Sequence, residues 1–566
     1  MSMMEPQYAL THVIRDMWQH LSRLVSLERR ILWIIGSYAV AIGLLFLCVP
    51  IAVQELVSTF SFAMEPRMVL TLAAMVLVAL LGVAYFRERQ ARAVETLQQR
   101  VYARITLAFA EQLPLINDDT FVPQHANRFF EAELLTRALV AMVADLFNVA
   151  VAGTIAVGML TFFSPFFLVY LGVLLVGFVA LLVLFGRGGF QVTLKMSQLN
   201  YQLFNWMQNL ALNLPHLRAV ASQDFVMART DDLLLPYVRT RQARSDALTG
   251  RQYKATAVWQ AFGHSGMIVT AGLLVVDGQI TVGQFAGAEV LVGNLLLHMD
   301  TFARRMVAIF FMFTSMRELA GFFALPKATG EAHLLSPSLL TGARGVRLTC
   351  RQVSFAYPGS APLFEELDFD VAPGEKMAIL CQTSTAKTAL AKVLAGLYQP
   401  TAGTVRYNDV NLVETDQDSI NRCRALMLDS LPTLLDGTLE DNITVGRPGI
   451  TYQDLTWAIA FAELEEEVDA LPQGIKTVVS GHGKTFTLSQ TLRILLARAI
   501  VTRPQLLIFD GTLHSMPLPT REVLLRRLCA KDEPWSVVFA SNDPSFIAHV
   551  DRHIRLPDRS ARTPLL

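Results

Sequence analysis

Six stretches of about twenty mainly apolar residues constrain this chain more than any other feature, because a segment in hydrocarbon must satisfy its own backbone polar groups and so must be a helix. They run at 31–53, 68–86, 138–163, 165–185, 256–276 and 284–303. The first, second and fourth carry no charged residue; the third contains Asp145, the fifth Gln260 and His264, and the sixth Glu289 and Asp300. Composition agrees: 52% hydrophobic against 17% charged is more apolar and less charged than a soluble domain. The 48 basic and 48 acidic residues cancel, which argues against a chain built to neutralise nucleic acid phosphates. No nucleic acid partner is expected. Five cysteines, Cys48, Cys350, Cys381, Cys423 and Cys529, lack any CxxC spacing, so free thiols and no zinc are expected. Nor does a small-residue cleavage site follow the first apolar run at signal-peptide distance.

Charge flanks give the orientation. The connection between the second and third spans holds Arg87, Arg89, Arg92, Arg100, Arg104 and Arg128, and that between the fourth and fifth is equally basic, whereas the opposite connections carry only Arg67. Short cytoplasmic flanks collect Lys and Arg, so both long connections and both termini are expected in the cytosol. Residues 7–28, with Trp18, Leu21 and Leu24 among Arg15, Arg23 and His20, read as a helix lying at the interface. The long connections have few glycines or prolines, and unstructured loops of that length are uncommon. They read as the spanning helices continuing into the cytosol, with breaks near Asn117–Pro123 and Asn213–His216. Ionisable residues inside membrane helices are costly, which makes Asp145, Glu289 and Asp300 candidates for a substrate or ion role; the alternative is that they face neighbouring helices. Arg304 and Arg305 are expected to snorkel.

The character of the chain changes near residue 324. A linker at 325–343, with Pro326, Gly330, Pro337 and Gly342, precedes a second domain at 344–566 in which strand and helix signals alternate. Val346–Tyr357 alternates like a strand; Lys376–Leu380, Leu506–Phe509 and Val537–Ala540 are compact apolar strands suited to a parallel sheet covered on both faces. The fold class is therefore an α-helical six-span membrane domain, at 1–324, followed by an α/β domain of the phosphate-binding-loop type.

This organisation resembles an ATP-binding cassette (ABC) exporter half-transporter. Within that family "LSLERR", "VPIAVQELV", "NRFFEAE" and "GQITVGQFAGAE" look most like bacterial exporters of the haemolysin and bacteriocin secretion type, without an N-terminal peptidase-like extension. The resemblance implies ATP and Mg²⁺ as cofactors and a bacterial inner-membrane location. It implies a second half-transporter subunit as partner, a copy of this chain or another chain, and in a Gram-negative cell a periplasmic adaptor and outer-membrane channel. It also implies that the two breaks are coupling helices that touch the nucleotide-binding domains.

Each chemical motif of that family can be compared with the residues present. Tyr357 in "SFAYPG" stands where an aromatic stacks on adenine, although a tyrosine in a strand is as often simple packing. The phosphate loop G-x-x-x-x-G-K-[ST], whose glycines let backbone N–H groups curl round phosphate, reads Cys381-Gln382-Thr383-Ser384-Thr385-Ala386-Lys387-Thr388. Lys387 and Thr388 are kept and both glycines are gone. A side chain forced to positive φ costs roughly 1 kcal/mol or more, so tight nucleotide binding is not expected. Asp510 in "LLIFDG", at 510 − 387 = 123 residues past the lysine, stands where Mg²⁺ would be held together with Thr388. Gly511 replaces the glutamate that would act as base, Asn542 the histidine, and Ser430 the glutamine at the γ-phosphate. The signature that clasps the partner's nucleotide reads Phe486-Thr487-Leu488-Ser489-Gln490, without its glycines. A positioned general base is worth about 10²–10⁴ in rate, so hydrolysis by this chain alone is expected to be close to absent. The leading expectation is a hydrolysis-deficient exporter subunit that works with a competent partner; the alternative is a pseudo-transporter that scaffolds a secretion complex.

Overall fold

The computed structural model describes residues 28–60, 66–116, 123–186, 189–220, 222–325, 345–415, 417–428, 433–479 and 486–556. The expected interfacial helix at 7–28, apart from Glu28, the linker at 325–343, apart from Leu325, and Ser430 lie outside them. The chain divides into two compact units, Met1–Pro326 and Lys327–Leu566.

Among the described residues of the first unit, six helical segments are long and apolar enough to cross a membrane. The first is built from α1 (Arg29–Phe46) and α2 (Cys48–Phe60), the second is α3 (Pro66–Gln112), and the third is α4 (Phe130–Phe163). The fourth begins with α5 (Phe166–Gly186) and leads into α6 (Gly189–Leu212). A short α7 (Leu214–Val220) and α8 (Gln223–Arg244) connect to the fifth, α9 (Arg251–Val276). The sixth is α10 (Val282–Arg304), followed by α11 (Met306–Phe323). At 1.5 Å per residue the 47 residues of α3 extend about 70 Å, more than twice a hydrocarbon core. The basic connection after the second span is thus a continuation of that helix.

Helix α5 is apolar all round: Phe167, Leu171, Leu174 and Phe178 are buried, while Val169, Val173, Val176 and Val183 are exposed. Such a helix suits a lipid-facing position, where one side packs on neighbours and the other meets acyl chains. Packing between spans relies on small residues in α10. A Cβ on Gly283 would run into the Gln54 carbonyl and the Ser58 side chain, and one on Gly287 would lie 3.0 Å from the Pro50 carbonyl. This G-x-x-x-G face lets α10 lie directly on α2. Beyond the spans, the carboxylate of Glu131, in "NRFFEAE", accepts from Tyr201 Oη (2.6 Å), from Ser197 Oγ (3.4 Å) and from Ser315 Oγ. One buried acid so ties α4 to α6 and α11, and its hydrogen bonds offset the cost of burying it. Glu28 is likewise buried and reaches Arg104 (2.8 Å) and Arg100 (3.5 Å) on α3.

The second unit holds an antiparallel sheet in the order β2 (Phe364–Val371), β1 (Leu348–Phe355), β4 (Ala402–Tyr407), β5 (Val410–Asn411). Its core is a parallel sheet in the order β11 (Arg552–Arg555), β3 (Lys376–Leu380), β10 (Ser536–Ser541), β9 (Leu506–Asp510), β6 (Arg424–Leu428). Strands β7 (Gly437–Thr438) and β8 (Val478–Val479) form a small pair. The five residues of β9 and all six of β10 are buried, as expected for central strands covered on both faces by helices. Those covers include α12 (Ser384–Leu394), α13 (Leu439–Thr444), α14 (Tyr452–Phe461), α15 (Leu488–Ile500) and α16 (Leu518–Leu528). Because β3, β10 and β9 are parallel neighbours, their carboxyl ends meet at one edge, where open α/β sheets place their ligand sites.

Candidate functional site

The carboxyl edge brings together residues far apart in sequence. Cys381 N–H donates to the Ser541 carbonyl (2.8 Å) and Gly511 N–H to the Ala540 carbonyl (3.0 Å), so the connections after β3 and β9 both hang from β10. Only Cys381, Gln382 and Thr383 separate β3 from α12. Thr383 is the helix N-cap: its Oγ1 accepts from Ala386 N–H (3.2 Å), and its carbonyl accepts from Lys387 N–H (3.1 Å). Two N–H groups that a phosphate cradle would need are thereby spent on closing the helix start. None of residues 381–388 adopts a positive φ. The strain expected of side chains at glycine positions is absent, because the helix starts early and the wide loop that needs such angles does not form.

The charged groups close on one another as well. Asp510 is fully buried, Lys387 is 4% exposed, and their Oδ1 and Nζ lie 3.5 Å apart. Thr388 Oγ1 donates to Asp510 Oδ2 (2.7 Å). Gln382, Thr383, Ser384 and Thr385 are exposed, while Cys381 and Ala386 are buried. Burial, with Asp510 close by, pushes the Cys381 thiol up to about 12. Gly511 has φ +62°, and a Cβ there would run into Lys387 Nζ. Asn542 is exposed at the end of β10. Next to it is a cluster missed in the sequence: His514 faces Ser541 Oγ through Nε2 (3.1 Å) and Asp543 through Nδ1 (3.3 Å), with Arg521 3.5 Å from the same carboxylate. Ser541 is fully buried, so the cluster fastens the segment after β10 and offers no nucleophile.

Tyr357 is half-buried, edge-on to Phe355 (centroids 5.3 Å apart) and to Tyr398 (6.2 Å). The residues at the signature position form a capping box at the start of α15. Thr487 Oγ1 accepts from Gln490 N–H (3.3 Å), while Gln490 Oε1 accepts from Thr487 N–H (2.9 Å). In the first turn Leu488 is exposed and Ser489 is half-buried.

In the membrane unit, the three acidic candidates all have partners. Asp145 Oδ2 lies 2.5 Å from Arg305 Nε, Glu289 Oε1 lies 2.5 Å from His264 Nδ1, and Asp300 Oδ2 lies 2.7 Å from Arg304 Nε. Arg304 also sits over the Tyr253 ring at 4.2 Å. Both arginines pair while their side chains stay nearly half exposed, Arg305 with the partly buried Asp145 on another helix and Arg304 with the buried Asp300 one turn away. A cavity of about 450 Å³ opens among α1, α3, α4 and α10, with Asp145 on its wall. Arg87, read in the sequence only as a basic flank, lines it too, as do Asn148, Asn294 and His298, which sequence reading did not single out. Their signal was polar residues at helical spacing within apolar runs: 145 and 148 on α4, and 294, 298 and 301 on α10.

Comparison with known proteins adds to this geometry. Residues 364–514 match the family described as ABC transporter. Over 280 residues the chain is 30% identical to a fatty acid ABC transporter ATP-binding/permease protein of Mycobacterium bovis, covering 50% of this chain and 43% of that protein. It is 27% identical over 351 residues to the mycobactin import ATP-binding/permease protein IrtB of Mycolicibacterium thermoresistibile, covering 57% and 58%. These matches span about half the length of the curated relatives. Among solved structures, a bacterial Atm1-family ABC exporter with ATP bound superposes with a TM-score of 0.77 over 95% of this chain and 94% of that one, at 17% identity.

Proposed function

We propose that this chain, which is an ABC exporter half-transporter in fold and domain make-up, is a subunit whose own phosphate site is silent and whose transport work is driven by a hydrolysis-competent partner subunit. The observation that carries the proposal is the closed Lys387–Asp510–Thr388 arrangement beneath a self-capped helix start. Lysine should supply charge to the phosphates and threonine and aspartate should face Mg²⁺; here all three are turned on each other, and Gly511 supplies no base. These residues do not fit a triphosphate and its metal, so no hydrolytic step is assigned to them. Equally, a capping box at Thr487 and Gln490 uses up side chains that would otherwise face a partner's nucleotide.

The polar cavity in the spans favours transport over a scaffold, since a subunit that only held a complex together would gain from a dry, filled seam. We place the pair in the bacterial inner membrane with both termini cytoplasmic, on the distribution of arginine between the connections. The resemblance to haemolysin-type exporters brings a periplasmic adaptor and an outer-membrane channel into the same proposal as further partners.

The test is to isolate the chain from native membranes in mild detergent, identify stoichiometric companions, and measure phosphate release. The chain alone should stay at the no-protein background, and a complex with a second ABC subunit bearing an intact phosphate loop should hydrolyse ATP. Turnover by the chain alone that is abolished by Asp510→Asn would refute the proposal.

A further inference from the structure

Between α8 and α9 the chain makes a π-helical turn, Ser245–Gly250. Such turns are rare and occur mostly at functional sites. The depth of this one follows from the way α9 runs against α5: Tyr170 Oη donates to the Gly263 carbonyl (2.7 Å), and Gly177 lies against the Trp259 ring. Continuing that antiparallel pairing, one step along α5 for each step back along α9, sets Gly186 beside the π-helical turn, and the turn packs on that end of α5. The 21 residues of α5 extend about 31 Å, the thickness of a hydrocarbon core, so the turn lies at the membrane surface. Tyr253, exposed close by on α9, is the kind of side chain enriched at that boundary.

The charge at this junction has one sign. Residues 239–254 hold Arg239, Arg241, Arg244, Arg251 and Lys254 against a lone acid, Asp246. Tyr237, Arg241 and Arg244 are spaced by four and three and so share one face of α8, and Arg241 Nη1 donates to Tyr237 Oη (3.4 Å). The Arg244 guanidinium lies over the Phe311 ring of α11 at 4.9 Å; its Nη1 is buried and has no acceptor. Among the described residues neither Arg241 nor Arg244 has a carboxylate within ion-pair distance, whereas Arg304 and Arg305 each have an aspartate. Burial, and then the like charge of Arg241, push the Arg244 guanidinium below its ordinary 12.5. An aromatic face attracts a cation without neutralising it, so a half-buried positive pair stands here without a counter-charge.

We infer that Arg244 and Arg241 hold the phosphate of an anionic phospholipid at the π-helical turn, as a bound component of the subunit and not as the molecule it moves. Two guanidiniums on one helix face suit a phosphate oxyanion, which each can meet with two parallel charge-assisted hydrogen bonds. A soluble phosphate shares that chemistry; the depth of the turn and the surface above it favour the lipid. Val179, Val183 and Leu184 on the last turns of α5 are exposed, as are Val258 and Phe262 of α9, so acyl chains meet apolar side chains on the hydrocarbon side of the turn. The inference uses neither nucleotide nor the partner subunit, and it stands or falls apart from the transport reading.

The test is to delipidate the full chain in detergent, titrate it with palmitoyl-oleoyl-phosphatidylglycerol or the matching phosphatidylcholine at physiological salt, and count bound lipids by native mass spectrometry. The first phosphatidylglycerol should bind at least tenfold more tightly than phosphatidylcholine and should raise the melting midpoint. Arg244→Gln should remove both effects, Arg244→Lys should keep part of them, and Arg241→Gln should weaken them. Without lipid, Arg244→Gln should melt no lower than the parent, because the charge it removes has no partner to lose. Arg239→Gln, an equal change of charge at an exposed residue off that face, should leave the first binding step within twofold. Phosphatidylglycerol with a diazirine in its acyl chain should label α5 around Val183–Leu184 or α9 around Val258–Phe262. Equal binding of phosphatidylcholine, or unchanged binding in both Arg244→Gln and Arg241→Gln, overturns the inference. An equal loss in Arg239→Gln also overturns it, since that would be diffuse surface charge, and so does displacement of the lipid by millimolar inorganic phosphate, which would make this a site for a soluble anion.

Discussion

Replacing Lys387 by methionine separates two roles that this lysine can have. If it served phosphate, its loss would remove turnover and leave stability nearly unchanged. In this structure Lys387 instead compensates Asp510, which is fully buried, across 3.5 Å. Removing one partner of a buried ion pair costs about 3–5 kcal/mol, because the remaining charge stays desolvated. Thr388 still donates to Asp510, which places the expected loss at the lower end of that range. For a domain of this size 1 kcal/mol moves the midpoint by about 2–4 °C, so Lys387→Met should lower it by roughly 6–12 °C. The buried thiols supply the assay. Cys381 and Cys423 are pushed up to about 12 and about 11 by burial and should react with a thiol-specific fluorophore only as the domain opens. The midpoint of labelling during heating of the solubilised full chain reports the unfolding. Lys387→Met/Asp510→Leu, which removes both charges, should recover much of the loss. A Lys387→Met midpoint within 2 °C of the parent, or a double variant no better than the single, would refute the structural role assigned to this lysine.

Three further outcomes follow from the same geometry. Gly511→Glu should leave phosphate release at background, because the new residue must adopt φ +62° and displace Lys387 Nζ within a site that also lacks its loop; a hundredfold rise in turnover would show that the missing base was the main defect. Gly283→Ala should lower the yield and melting point of the membrane unit, at an overpacking cost of about 1–3 kcal/mol, whereas Gly158→Ala, with nothing within 4 Å, should be silent in the same thermal assay. Acid should weaken the starts of α13 and α14. Hydrogen bonds from the Thr438 and Thr451 side chains, then from their backbone N–H groups, hold the Asp441 and Asp454 carboxyls below their ordinary 3.8. A depressed folded value means that this stabilisation is complete above the ordinary carboxylate range and is lost as pH falls through the lower folded value. Melting curves from pH 6 to pH 3 should therefore fall less steeply in Thr438→Val/Thr451→Val than in the parent.

Local chemistry carried much of the architecture into the sequence. Runs such as 165–185 must be helices in hydrocarbon whatever surrounds them, and apolar strands such as Leu506–Phe509 must be covered on both faces, so spans and parallel sheet were legible from periodicity and length alone. The loss of glycines around Lys387 and of glutamate at Gly511 was equally visible, because those motifs depend on residue type at fixed spacing. The tertiary structure decided what the surviving groups do. Whether Lys387 faces a ligand or Asp510, whether Thr487 and Gln490 reach outward or cap their own helix, and whether Asp145 meets Arg305 depend on contacts between residues distant in the chain. The same is true of the cavity: Arg87, Asn148 and His298 lie on three separate helices, and nothing in the spacing of any one helix says that they share a wall. Periodicity assigns a residue to a face, but only the packing of one helix on another determines which face it meets.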